Sequence, residues 1–280
     1  MRRKTSGMSE SFPGTESSGA HLALETLSTG ELLRAINAED RRVADAVAAA
    51  LPAIGRVVDA IVPRIRRGGR VFYLGAGTSG RLGVLDASEI PPTYGAENVF
   101  VGIIAGGDGA LRTSSEGAED DEEAGWRDLQ AFAPGESDSL VGLAASGRTP
   151  YVLGTIRRAR EAGLFTAAVV CNAGSPVAAA ADVAVELATG PEIVRGSTRM
   201  KAGTAEKMVL NMLSTAAMVQ LGHVKGNRMI DMRPANRKLR ERAEGMVMEA
   251  FGIPREAARA RLDAAGSLRA ALEETPREKA

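Results

Sequence analysis

Cysteine is nearly absent from this chain of 280 residues; Cys171 is the single one. That excludes intramolecular disulfides and a cysteine-based zinc site. Histidine is almost as scarce, with only His21 and His223, which argues against a histidine-rich metal centre. Net charge is missing too. Lys+Arg 35 balances Asp+Glu 35, so the chain has no electrostatic footprint for nucleic acid or an anionic membrane. No apolar run reads as long enough to span a bilayer. Arg2, Arg3 and Lys4 are not followed by the apolar core of a secretory signal. These absences describe a soluble cytoplasmic protein with no metal, no nucleic-acid partner and no membrane partner. What remains is ordinary globular composition, 44% hydrophobic and 25% charged, together with 32 glycines. Such a length suits one large α/β domain with helical additions, and such glycine use suits an enzyme built from tight strand-to-helix turns.

One stretch organises the rest. Val71-Phe72-Tyr73-Leu74 is a short apolar run of the kind found in buried strands. Gly75-Ala76-Gly77-Thr78-Ser79-Gly80 follows, and after it Leu82 and Leu85 take up helical spacing. Strand, glycine-rich turn and helix form an anion-binding arrangement, because backbone N–H groups and the helix N-terminus face the ligand. Gly75, Gly77 and Gly80 also satisfy G-x-G-x-x-G, the dinucleotide pattern. A dinucleotide fold further wants an acid at the end of the second strand, about 20 residues on. The next apolar run, Val99 to Ile104, is followed by its first acid only at Asp108, late for that role. Thr78 and Ser79 offer hydroxyls that a sugar phosphate could use directly. On this stretch alone the dinucleotide and phosphosugar readings stand level.

The chain in order predicts the following. Residues 1–20, rich in Ser, Gly and Thr, read as a disordered tail. Residues 21–67 read as two helices packing on the core, the first opened by the capping box Ser28/Glu31 and the second by Pro52. Residues 68–222 read as the main domain. Its strands are Val71–Leu74, Val99–Ile104, Ser139–Ala144, Phe165–Val170 and Val183–Leu187, alternating with helices. That alternation implies right-handed βαβ units and a parallel five-stranded sheet, an α/β fold. Pro91-Pro92-Thr93-Tyr94-Gly95 reads as a stiff turn, Glu119–Phe132 as a helix with Trp126 and Leu129 on one face, and Met208–Val219 as a central buried helix. Residues 223–280 read as a small helical appendix broken at Gly252 and Pro254. Cys171 reads as a buried strand-end residue and His223 as a surface one.

A second loop separates the two ligand readings. Ser146-Gly147-Arg148-Thr149 repeats the chemistry of Thr78-Ser79-Gly80-Arg81, and both loops follow a strand. Ligands of parallel sheets bind at that edge. Two hydroxyl-rich loops can surround one phosphate, whereas a dinucleotide needs only the first. The phosphosugar reading is therefore preferred, with no nicotinamide or other cofactor.

At this point the sequence resembles a known family. The paired loops resemble those of the SIS (sugar isomerase) fold. The runs GAGTSGRLGVLDASEIPPTYG, IAGG, EGAED, ASGRTPY and STRMKAGTAEKMVLNMLST resemble the N-acetylmuramic acid 6-phosphate etherases, in order, from about Leu27 to Asn236. The resemblance implies a three-layer α/β/α fold, a homodimer, no metal and a phosphorylated amino sugar substrate. It implies cleavage of the lactyl ether by elimination and then hydration, giving N-acetylglucosamine 6-phosphate and D-lactate. It also implies that Glu89 and Glu119 are the two catalytic carboxylates. Read from the residues, Glu89 ends a helix, which suits a general acid, and Glu119 starts one, which suits an ionised base, with Glu116 as its competitor. Thr78, Ser79, Gly80, Ser146, Arg148 and Thr149 are the candidate phosphate ligands. Arg199 and Lys201 are candidates for the phosphate or the lactyl carboxylate, or simply an exposed basic pair. Rival functions are an aldose–ketose phosphosugar isomerase of the same fold and a non-catalytic phosphosugar-sensing regulator.

Overall fold

A computed structural model describes residues 14–17, 19, 23–234 and 237–273. The first long element is α1 (Thr29–Arg66). Ser28 opens it as the spacing predicts: Ser28 N donates to Glu31 Oε2 at 2.9 Å and Glu31 N donates to Ser28 Oγ at 3.4 Å. The expected second helix start at Pro52 is not there. One helix of 38 residues runs through both Pro52 and Pro63. Both prolines lie on its exposed side. Val43, Val47, Ile54, Val57, Val58 and Ile61 make an unbroken buried stripe on the other. An internal proline costs about 3 kcal/mol, while each buried Val or Ile contributes about 1.5–3 kcal/mol, so the stripe outweighs the breaks. By length and composition α1 could cross a membrane, contrary to the sequence reading. Its apolar stripe is instead packed inside the chain, against the sheet and a later helix.

The main unit then alternates strand and helix. β1 (Val71–Gly75) leads into α2 (Gly77–Ser88) and the one-turn α3 (Ile90–Tyr94). The Pro91-Pro92 stretch is thus a short helix rather than a turn, since prolines fit a first helical turn, and it ends at Gly95 with φ 65°. β2 (Phe100–Ile104), α4 (Ala124–Gln130), β3 (Ser139–Leu143) and α5 (Pro150–Glu161) follow. Next come β4 (Phe165–Val170), α6 (Pro176–Ala180), β5 (Val183–Glu186) and α7 (Lys201–Gln220). The five strands pair in the order β2-β1-β3-β4-β5, all parallel, as the alternation implied.

Strand periodicity builds two cores. Val71, Tyr73, Val141, Leu143, Ala167 and Val169 face α1 and α7. Phe72, Leu74, Leu140, Ala168 and Val170 face the other layer, with Leu129, Val152 and Ile156. The result is three layers, α/β/α. Trp126 and Leu129 both pack on the second core, as their spacing predicted.

Beyond α7 lie a two-stranded hairpin, β6 (Val224–Lys225) with β7 (Arg228–Met229), and the helices α8 (Arg237–Phe251), α9 (Arg255–Ala265) and α10 (Leu268–Leu272). The three helices share a core of Val247, Leu262 and Leu268. The predicted break holds: α8 stops before Gly252, and Pro254 caps α9. His223 is not a bare surface residue. Its Nδ1 lies 2.7 Å from Asp231 Oδ2, and Asp231 also pairs with Arg269 of α10, so the ring helps tie the appendix to the core. His21 and residues 1–13 of the expected tail lie outside the described residues, whereas Gly14–Glu16 form a 3-10 turn with Thr15 fully buried.

Candidate functional site

The strand order fixes where a ligand can sit. From β1 the chain moves outward to β2, then returns to β3 on the other side, so β1 and β3 flank a topological switch point. Gly75 is in register with Leu143 at the ends of these neighbouring strands. The two Ser-Gly-Arg loops therefore leave adjacent strands at the same sheet edge.

The first loop is shaped by close packing. A Cβ on Gly80 would lie 2.6 Å from Gly75 O, so only glycine lets α2 sit this tightly on β1. Ala76 is the N-cap and supplies no side-chain cap. The N–H groups of Gly77, Thr78 and Ser79 thus form an open helix N-terminus, suited to an anion. Thr78 shares a cavity of about 330 Å³ with Arg199, Thr204 and Lys207. Ser79 is buried and its Oγ lies 3.0 Å from Glu206 Oε1.

The second loop is built differently. Gly147 has φ 67° and a Cβ there would meet Ser175 Oγ at 2.1 Å. Arg148 N donates to Ser146 Oγ at 3.2 Å, which leaves the Ser146 hydroxyl proton free. Thr149 is the N-cap of α5 but makes no side-chain cap bond, so its hydroxyl is not spent on the helix. The α5 N-terminus itself is closed: Pro150 has no N–H, and Tyr151 N donates to Glu119 O at 3.0 Å. This loop offers hydroxyls where the first offers amides. Asn172 Nδ2 donates to the backbone oxygens of Ala145 and Ser146 at 3.3 and 3.2 Å and holds the loop from below. Asn172 also bonds Thr15 both ways, at 3.1 and 2.8 Å, bringing the N-terminal turn to this edge.

The structure separates the two glutamates. Glu119 is exposed and lines a cavity of about 180 Å³ with Gly77, Arg81, Ser115 and Glu116, beside the first loop. It does not start a helix. It lies in a turn, and α4 begins only at Ala124, so the dipole reading of Glu119 falls. Glu89 is exposed at the far end of α2, about 18 Å along the helix from Gly77 at 1.5 Å per residue. It closes α2 and precedes α3, so two opposed helix ends meet there and no single dipole acts on it. Within one chain the two carboxylates do not meet.

Arg199 and Lys201 also part company. Arg199 is exposed at the Thr78 cavity. Lys201 is 1% exposed and its ammonium is paired with Glu39 of α1, which is not the exposed basic pair of the sequence reading. Glu192, also buried, caps α7 by accepting from Lys201 N at 3.1 Å and Ala202 N at 2.9 Å. Sequence reasoning missed Glu192, Asn172 and Glu206. A signal existed for the last: Glu206 falls on the same helical face as Ala202, Val209 and Leu210, where an acid is out of place. Burial pushes its carboxyl up to about 8, against the lowering effect of the Ser79 hydrogen bond. Cys171 is buried as predicted; burial first, and then the neighbouring Glu206, push its thiol well up. That environment makes it a poor nucleophile. A larger cavity of about 600 Å³ lies against Arg157, Arg160 and Pro176 of α5 and α6.

Residues 53–160 match the family model of the glucokinase regulatory protein N-terminal SIS domain. A Porphyromonas gingivalis protein named N-acetylmuramic acid 6-phosphate etherase is 54% identical over 260 residues, covering 92% of this chain and 95% of its own. Proteins of the same name from Jannaschia sp. and Cronobacter sakazakii are 55% and 56% identical, covering 89% and 85% of this chain and 79% and 81% of theirs. Among solved structures, phosphoheptose isomerases from Francisella tularensis and Neisseria gonorrhoeae superpose with a TM-score of 0.51 each. They are 17% and 18% identical and cover 68% and 70% of this chain, and all of their own length. That likeness speaks for the fold alone.

Proposed function

Because the chain belongs to the N-acetylmuramic acid 6-phosphate etherase family of carbon–oxygen lyases, we propose that it converts N-acetylmuramic acid 6-phosphate and water to N-acetylglucosamine 6-phosphate and D-lactate. The observation that carries this reading is the meeting of the two hydroxyl-rich loops at one switch point, with Glu119 lining the cavity beside the first. The 6-phosphate sits on the α2 N-terminus among Thr78, Ser79 and Gly80, with Ser146, Arg148 and Thr149 closing over it. Arg199 faces the lactyl carboxylate. Lys201, already neutralised by Glu39, keeps the start of α7 in place rather than binding substrate.

The chemistry follows from the substrate. Opening of the sugar ring to the aldehyde acidifies the proton at C2. One carboxylate removes it, and a carboxylic acid assists departure of the ether oxygen at C3. Water then adds at C3 to the unsaturated aldehyde. The sequence of steps is redox-neutral and calls for no nicotinamide and no metal. It belongs to the recycling of cell-wall amino sugars, in the cytoplasm.

Two carboxylates at opposite ends of α2 call for a second subunit. In a homodimer the exposed Glu89 of one chain reaches the loops of its partner, and each site is completed by both. Loop binding is checked with Ser146→Ala. Loss of one hydroxyl bond to a charged group is expected to weaken binding of the phosphorylated sugar by about 1.5–3 kcal/mol. An unchanged dissociation constant by calorimetry would remove the second loop from the site.

A further inference from the structure

The second turn of α7 carries a carboxyl that the steps above do not use. Glu206 is completely buried. Its Oε1 lies 3.0 Å from Ser79 Oγ, and its Oε2 is buried with no partner. Ser79 belongs to the first turn of α2, under the proposed phosphate position. The 3.0 Å separation serves either direction of donation, since a hydroxyl can donate or accept.

The direction matters because Ser79 has one proton. Opposite a Glu206 carboxylate, Ser79 must donate inward, and only oxygen lone pairs then face the phosphate. Opposite a Glu206 acid, Ser79 accepts, and its own proton is free for the phosphate. We infer that Glu206 is a positioning residue that, as the acid, donates to Ser79 Oγ and turns the Ser79 hydroxyl proton toward the ligand phosphate. This rests on the reading of Ser79 as a phosphate ligand.

The surroundings favour the acid. The elements packed against α7 carry Arg81 and Asp86 on α2, Glu39 on α1 and Lys225 on β6, and Cys171 at the end of β4 lies near Glu206. Arg81 Nε donates to Leu111 O, Asp86 pairs with Lys207, Glu39 pairs with Lys201, and Lys225 is exposed. The Cys171 thiol is pushed up beside Glu206 and adds no positive charge. Glu192 is occupied in capping α7. Among the described residues Ser79 is the only hydrogen-bond partner of the Glu206 carboxyl. With burial holding the proton up to a pH of about 8, the pair sits in the orientation that binds phosphate at neutral pH. A bound phosphate places further negative charge nearby and favours the proton still more. By linkage, protonation and phosphate binding strengthen each other.

Calorimetric titration with N-acetylglucosamine 6-phosphate from pH 7.5 to 9.5, where its phosphate stays a dianion, tests this. The measurement is repeated in two buffers of different protonation heat. The parent is expected to take up as much as one proton from solvent per bound ligand above about pH 8, and to lose affinity by up to about tenfold per pH unit there. Glu206→Gln, whose amide donates to Ser79 at every pH, is expected to bind at pH 9 as the parent does at pH 7.5, with no proton uptake by this route. If Ser79→Ala weakens binding while the parent and Glu206→Gln share one pH profile and one proton uptake, the inference fails and the phosphate site stands. If Ser79→Ala binds like the parent, both fail.

Discussion

Replacing either Glu89 or Glu119 by glutamine is expected to lower D-lactate release by roughly 10²–10⁴-fold, the usual size of general acid–base catalysis. Mixing the two inactive proteins and letting subunits reassort is expected to restore about a quarter of the parent activity. Half of the dimers are then mixed, and each has one of its two sites intact. The reason is geometric. Glu119 lies at the first loop, whereas Glu89 is a helix length away and exposed. No activity on mixing would mean that both carboxylates serve a site within one chain. Exchange of the C2 proton with deuterated water divides the roles further, because a variant lacking only the acid still runs the first step. The glutamate whose loss spares exchange is the acid. Glu89 does close α2, and α3 starts at the next residue, so the two helix ends offset each other there and the exchange experiment assigns its role.

Glu206→Gln is expected to stabilise the fold, by an amount that grows with pH. The carboxyl ionises near 4.5 when unperturbed and at about 8 in the fold, where burial opposes the charge. Between those values the folded chain holds one proton more than the unfolded chain. Stability of the parent therefore falls as pH rises through that window, by about 1.4 kcal/mol per unit for this group, and levels off above it. Glutamine removes the slope. The variants should be nearly equal at pH 4.5 and differ on the order of 3 kcal/mol at pH 7, several degrees in melting temperature for a chain of this size. Urea or thermal unfolding from pH 5 to 8.5 reads this directly. Parallel pH curves for the two proteins would show that Glu206 is ionised in the fold.

Much of this was legible in the sequence, for identifiable reasons. β1, β3 and β4 are short apolar runs bounded by glycine and hydroxyl residues, and a parallel sheet buried on both faces leaves few other readings for them. The Ser-Gly-Arg repeat carried the adjacency of the two loops, because each directly follows a strand. What misled was local chemistry overridden at a distance. Pro52 looks like a helix start, but the stripe from Val43 to Val62 packs as one surface. The acids from Glu116 to Glu123 look like a helix N-terminus, yet Asp121 Oδ1 accepts from Glu123 N and Ala124 N at 2.9 and 3.0 Å and starts the helix later. Lys201 looks like an exposed cation until Glu39, 162 positions earlier, is folded against it. Glu206 could have been found as an acid on an apolar helical face, whereas its partner Ser79, 127 positions away, could not.

The central claim is ether cleavage by elimination at C2–C3 of the sugar followed by hydration. It is tested most directly by incubating the purified protein with N-acetylmuramic acid 6-phosphate in ¹⁸O-labelled water and weighing both products by mass spectrometry. The label is expected in the C3 hydroxyl of N-acetylglucosamine 6-phosphate, with D-lactate released unlabelled at its ether oxygen and in equal amount. Label in that lactate oxygen instead, or an isomerised sugar without lactate, would contradict the account.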